Sequence, residues 1–114
     1  MSRRIEKINK HIQKTLGEIF QRETDIPPDV LVTISRVDTT PNLQSAAVWL
    51  YIQPLERGED TLELLKKQLY DIQGALNRAL QMRPLPRITL RLDLGSYHAQ
   101  KLEEKLDEIK NAGD

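Results

Sequence analysis

Residues 30–52 read VLVTISRVDTTPNLQSAAVWLYI, two apolar and β-branched runs on either side of a polar connection. The runs at 30–37 and 46–52 have the length and composition that are typical of strands. The connection, DTTPNLQS, has Pro41-Asn42 as its turn. Because two strands joined by so short a segment usually lie side by side, this stretch predicts an antiparallel pair.

The segment before these strands predicts an amphipathic helix. From Ile5 to Phe20 the apolar residues recur in steps of three and four, a stripe about 120° wide on an α-helix. A basic ridge lies almost opposite on the same helical wheel. The ridge consists of Arg3, Lys7, Lys10 and Lys14. We expect the apolar face in the core and the ridge in solvent, where it either binds an anion or merely solvates the helix.

The region after the second strand predicts a long helix and a third strand. Leucine and isoleucine continue at helical spacing from Asp60 to about Met82. Gly74 lies in the middle, where glycine costs roughly 1 kcal/mol relative to alanine, so we expect a bend or a close backbone contact there. Residues 87–93 (RITLRLD) alternate strictly and predict a strand with one polar face. A short acidic helix is expected from Tyr97.

This order of elements predicts a single α+β domain. A three-stranded sheet that helices cover on one face accommodates helix, strand, strand, kinked helix, strand and short helix. The 114 residues suit one domain, which we assign to residues 1–109, with 110–114 as an end that need not be ordered. No apolar run reaches the roughly 20 residues of a membrane span, and the N-terminus lacks a secretory signal. A cytoplasmic protein is therefore expected.

The net charge of zero conceals alternating blocks of charge. The chain has 17 basic and 17 acidic residues, but they are segregated. The net charges are +4 over 1–22, −6 over 23–65, +5 over 66–91 and −3 over 92–114. Such blocks are often only solvated faces.

The basic block at 66–91 favours an anion-binding surface over simple solvation. Asp71 is the only carboxylate between Lys66 and Arg91. Arg87 and Arg91 project from the same face of the third predicted strand, whereas an exposed strand face usually alternates in sign. Because guanidinium groups match phosphate oxygens through a planar fork of donors, RNA is a suitable ligand.

Catalytic and metal-binding patterns are absent from the sequence. The chain has no cysteine, and neither His11 nor His98 has a second ligand at metal-binding spacing. The five glycines form neither GxGxxG nor GxxxxGK. An enzyme is therefore the least supported class, and no cofactor, metal or small-molecule substrate is predicted.

Trp49 and Tyr51 share one face of the second predicted strand. A tryptophan in such a strand most often packs beneath a helix, and this is the position we expect for Trp49. The alternative is a platform on which nucleic-acid bases stack.

Several short strings of this chain resemble the ribosome-binding factor A family, and they occur in the family's order. They are Arg-x-x-x-Ile from Arg4, Gln-Arg-Glu at 21–23, Val-Thr-x-x-x-Val at 32–37, Thr-Pro-Asn-Leu at 40–43, and Ala47-Val48 followed by Trp49. The resemblance covers residues 3 to about 109 and implies a type II KH-like fold. In that family an Ala-x-Gly helix kink replaces the GxxG loop of ordinary KH domains, and the matching positions read Ile72-Gln73-Gly74. The family's arginine after the kink is absent, and Arg78 lies one position later.

The resemblance implies a monomeric, non-catalytic factor that binds the immature small (30S) ribosomal subunit through its 16S rRNA. It also implies a role in late maturation, in processing of the rRNA 5′ end and in adaptation to cold. The alternatives are a stand-alone KH-like module for single-stranded RNA and a protein-interaction adaptor that uses the acidic stretches. The candidate RNA-binding residues are Arg3, Arg4, Lys7, Lys10, Lys14, Arg36, Arg78, Arg83, Arg87 and Arg91, with Gly74 as the structural kink.

Overall fold

A computed structural model of the chain describes residues 3–82 and 85–95. The elements are α1 (Arg3–Arg22), β1 (Leu31–Thr39), β2 (Ser45–Gln53), a short 3-10 helix (Leu55–Arg57), α2 (Gly58–Lys67), α3 (Leu69–Leu80) and β3 (Arg87–Leu92). No helix in these two ranges is long and apolar enough to cross a bilayer. The short helix predicted from Tyr97 and the end at 110–114 lie outside the described residues.

The three strands form one mixed sheet in the order β1-β2-β3. β1 and β2 are antiparallel, as predicted, and β3 pairs parallel to β2. A parallel pair needs a crossover connection, which α2 and α3 supply. One face of the sheet is buried, and its side chains are Val37, Ala46, Val48, Leu50, Ile52, Ile88 and Leu90. These residues form one core with the helices, which confirms the predicted α+β class.

The amphipathic character predicted for α1 is confirmed. Its apolar stripe is buried from Ile8 to Phe20, and the helix packs against β1 and α3. The side chain of Asn9 fixes the position of the helix, because its Oδ1 accepts hydrogen bonds from the amide (3.0 Å) and the hydroxyl (2.6 Å) of the buried Thr39. All residues of the basic ridge are exposed.

A β-bulge in β1 decides which face of the sheet Arg36 occupies. Ile34 and Arg36 pair with consecutive residues of β2, so Ser35 is an extra residue. Strict alternation from Ile34 would direct Arg36 into the core. The bulge instead leaves Arg36 exposed and buries Val37, because an extra residue moves every later side chain of the strand to the opposite face of the sheet.

The break in the second helical region lies at Gln68, which corrects the predicted position at Gly74. α2 ends at Lys67 and α3 begins at Leu69, whereas Gly74 lies inside α3. The Gln68 side chain accepts from the amide of Asp25 (2.8 Å) and donates to its carbonyl (3.1 Å). This contact joins residues 43 positions apart, so the local sequence pattern does not reveal it.

Replacing Gly74 with alanine is expected to raise the free energy of unfolding by about 0.4–1 kcal/mol, because alanine restricts the unfolded chain and suits a helix interior. An added Cβ would meet only the Arg78 Nη1 at 3.4 Å, the end of a flexible side chain. Gly17→Ala in α1 is the control, since nothing lies within 4 Å of its added Cβ. Chemical denaturation measures both. Destabilisation by Gly74→Ala alone would show that the backbone at this position requires glycine.

Candidate nucleic-acid interface

The structure divides the predicted cationic residues among three surfaces. Arg3, Arg4, Lys7, Lys10 and Lys14 lie on α1, Arg78 and Arg87 lie at the junction of α3 and β3, and Arg36 and Arg91 lie on the outer face of the sheet. All of these side chains are exposed. Arg83 lies outside the described residues. The candidate residues therefore do not form a single patch.

The junction of α3 and β3 forms an open groove of about 850 Å³, which we call the α3–β3 groove. Arg78 and Arg87 both line it, together with the side-chain amides of Gln73 and Asn77. Within 3–82 and 85–95, no carboxylate lines this groove, and neither arginine is ion-paired. Two free guanidinium groups beside neutral amides suit a phosphate backbone with adjoining bases.

Gln73 holds the α3–β3 groove together. Its Oε1 accepts from the amide of Ile88 at 2.9 Å, and its Nε2 donates to the carbonyl of Pro86 at 3.2 Å. These two backbone groups flank Arg87 in the chain. A side chain of α3 therefore fixes the start of the edge strand and sets the position of Arg87 relative to Arg78.

Tyr70 is a candidate contact residue that the sequence analysis missed. It is 90% exposed at the start of α3. It lines a second groove, of about 510 Å³, between α1 and α3, and Arg78 lines this groove as well as the first. Glu23 and Asp71 also line the second groove, so the free positive charge is concentrated in the α3–β3 groove. The sequence feature that could have indicated Tyr70 is its place beside Leu69, one position off the apolar stripe of its helix.

The basic ridge of α1 is separate from the α3–β3 groove. Lys14 lines a different groove, of about 610 Å³, between α1 and β1. The α1 residues that line the groove beside α3 are instead Ile19 and Glu23. A nucleic acid that contacts both basic surfaces would have to wrap around the helix.

Trp49 lies on the sheet face opposite the helices, so its expected position beneath a helix was wrong. Its chain neighbours Val48 and Leu50 are buried in the core, and alternation directs Trp49 the other way, where it is half-buried. It stands between Arg36 and Arg91, its pairing partners on β1 and β3. Their guanidinium carbons lie 5.1 and 5.7 Å from the centroid of the indole.

Comparison with known proteins identifies the family. The family model of ribosome-binding factor A matches residues 4–106. The chain belongs to the ribosome-binding factor A family. Among its relatives, ribosome-binding factor A of Bdellovibrio bacteriovorus is 31% identical over 109 residues, which are 95% of this chain and 81% of the relative. The Akkermansia muciniphila protein of the same name is also 31% identical, over 96% of this chain and 86% of its own length.

Solved structures of the family have the same fold. The crystal structure of ribosome-binding factor A from Thermus thermophilus matches 75% of this chain and 92% of its own with a TM-score of 0.64 at 24% identity. The solution structure of a Thermotoga maritima member matches 79% and 87%, also with a TM-score of 0.64, at 28% identity. A homology model of the Thermus factor, fitted into the cryo-EM map of a 30S complex, matches 71% of this chain and 86% of its own with a TM-score of 0.59 at 26% identity. The resemblance inferred from the sequence strings is confirmed.

Replacing Gln73 with leucine is expected to lower the free energy of unfolding by about 1–3 kcal/mol, because the partly buried amide of Ile88 loses its acceptor. Asn77→Ala is the control, since it removes only the exposed hydrogen bond from Gln73 (3.0 Å) and should change stability by less than about 0.5 kcal/mol. Chemical denaturation measures the stability of both variants. Equal effects would show that Gln73 does not anchor the strand.

Proposed function

We propose that this chain is a non-catalytic assembly factor that binds the immature small (30S) ribosomal subunit through its 16S rRNA. The observation that carries the proposal is the α3–β3 groove, where Arg78 and Arg87 share an open surface that no described carboxylate neutralises. Membership of the ribosome-binding factor A family supports the ribosome as the target. The Thermus factor, which is similar in structure, was fitted into a 30S complex.

In this proposal the α3–β3 groove binds the rRNA backbone, and the groove between α1 and α3 binds a base. Arg78 and Arg87 contact phosphate oxygens, and Gln73 holds the backbone on either side of Arg87 against α3. The exposed ring of Tyr70 in the adjoining groove supports stacking with an unpaired base. The site therefore favours a junction where an rRNA helix meets a single strand.

The proposed mechanism is stoichiometric binding to one rRNA conformation. A bound factor shifts the rRNA equilibrium only by the difference between its affinities for the two conformations. The monomeric factor holds the late precursor in the cytoplasm while the 5′ end of the 16S rRNA is processed, and it dissociates before translation. The need for it grows in the cold, because rearrangement of incorrectly paired rRNA is then slower.

Removing the two arginines of the groove is expected to weaken subunit binding. The Arg78→Gln/Arg87→Gln variant should cosediment less with precursor small subunits. Its plot of log affinity against log salt should flatten by roughly 0.7–0.9 for each lost phosphate contact. Cosedimentation of the purified chain at several salt concentrations measures both quantities.

A charge-matched control is available on the helices. Arg22→Gln/Lys66→Gln removes the same charge from residues that are paired with Glu18 and Glu63 on their own helices. This variant should bind subunits like the wild type. Equal losses in the two variants would mean that overall charge, and not the α3–β3 groove, drives association.

The basic ridge of α1 is expected to contribute a second electrostatic contact. Lys7→Gln/Lys10→Gln/Lys14→Gln should change stability by no more than about 0.5 kcal/mol per site, as exposed substitutions usually do. It should weaken cosedimentation with subunits. It should also flatten the plot of log affinity against log salt by roughly one unit per lost phosphate contact. Wild-type binding by this variant at every salt concentration would leave the ridge as a solvated face only.

A stand-alone KH-like module for single-stranded RNA is the second candidate, and the exposed Tyr70 favours it. Relative affinity separates the two functions. An assembly factor binds precursor subunits far more tightly than short unstructured oligonucleotides, whereas a stand-alone module binds both RNAs with similar affinity.

A further inference from the structure

The outer face of the sheet carries an aromatic ring between two cations, opposite the face that the helices cover. Arg36, Trp49 and Arg91 occupy one row across β1, β2 and β3. The guanidinium carbons lie 5.1 and 5.7 Å from the indole centroid, within the range of cation–π contacts. We call these three residues the Trp49 row.

The two arginines of the row differ in their freedom. The Nε of Arg36 lies 2.9 Å from Asp38 Oδ2, so its charge is already paired. Arg91 has no ion pair with any carboxylate that the structure describes, and it lies on an edge strand. Arg91 is therefore the guanidinium that can move to meet an anion.

The indole of Trp49 has an unused hydrogen-bond donor. Its Nε1 is buried and has no acceptor within the described ranges. A buried donor without a partner costs free energy. The half-buried indole is therefore an aromatic ring with an unpaired donor on the face that carries Arg36 and Arg91.

β3 connects the Trp49 row to the α3–β3 groove. Arg87 begins the strand and lines the groove, and Arg91 lies four residues farther along it. At roughly 3.3 Å per residue the two positions are about 13 Å apart, which a few nucleotides of extended RNA can span. Thr89 lies between them on the same exposed face, and Asp93 directly follows the strand, two positions after Arg91.

We infer that the Trp49 row binds an unpaired rRNA segment that leaves the α3–β3 groove along β3, with one base stacked on Trp49 and its phosphate held by Arg91. The inference rests on the proposed function and adds a second contact site to it. RNA fits better than an acidic protein segment, because a nucleotide supplies a flat ring for the indole as well as an anion for Arg91. Stacking at this site is tolerant of sequence, since every base has a π face.

Trp49 is the one tryptophan of the chain, so its fluorescence reports on this site alone. We expect single-stranded hexaadenylate RNA to quench the Trp49 emission of the full chain and to saturate. Inorganic polyphosphate of equal charge should quench less, because it has no bases. Equal quenching by the two ligands, or none by hexaadenylate, would overturn the inference.

Variants of the row test the contact by a second measurement, the fluorescence anisotropy of labelled hexaadenylate. Trp49→Leu should weaken binding roughly five- to 150-fold, the range expected for the loss of one base stack, and Trp49→Phe should restore much of it. Arg91→Gln should weaken binding several-fold, whereas Lys66→Gln, on a residue paired with Glu63, should not. Unchanged affinity in both Trp49→Leu and Arg91→Gln would also overturn the inference. If thermal melts show that Trp49→Leu does not fold, the Arg91→Gln and quenching results still show whether the Trp49 row binds RNA.

The outcome for this site can be separated from that for the proposed function. A chain that sediments with precursor subunits but shows no quenching by hexaadenylate retains the proposed function and loses this inference. A chain that shows base-dependent quenching but does not sediment with subunits retains the RNA site and loses the ribosomal function.

Discussion

Burial of one face of the sheet beneath the helices fixes which side chains face solvent throughout this structure. The core joins the apolar stripe of α1 to alternate residues of all three strands. Because side chains in a strand alternate between faces, Trp49 lies on the outer face of the sheet when Val48 and Leu50 are buried in the core. The same alternation sends Arg87 and Arg91 outward when Ile88 and Leu90 enter the core. Hydrophobic burial therefore places Arg87 and Arg91 on the outer face of the sheet, and no direct interaction between the two arginines is needed.

Polar contacts between distant parts of the chain refine this arrangement. Gln68 joins the end of α2 to Asp25, and Gln73 holds the backbone on either side of Arg87. Both glutamines use their side-chain amide as donor and as acceptor. Each therefore pairs with one backbone amide and one backbone carbonyl that an irregular segment would otherwise leave without a partner. The positions of the helix break and of the edge strand follow from these contacts.

The resulting distribution of charge suits a factor that binds an anionic partner. Arg78 and Arg87 lie in an open groove and Arg91 lies on an exposed strand, where a ligand reaches them without a conformational change in the core. Four described carboxylates, Glu18, Asp38, Asp29 and Glu63, are paired with Arg22, Arg36, Arg57 and Lys66. A chain with no net charge thus keeps a cationic surface, because its acidic residues lie elsewhere.

Patterns in the sequence predict the element types, the buried stripe of α1, the antiparallel pair, the cationic residues and the family. These are readable because helical and strand periods, turn residues and short family strings are local patterns. Packing of distant segments sets the helix break at Gln68, the β-bulge at Ser35, the outward position of Trp49 and the shared groove of Arg78 and Arg87. Each of these depends on which face is buried or on hydrogen bonds between residues as far as 43 positions apart, and a periodic pattern carries no information about such partners.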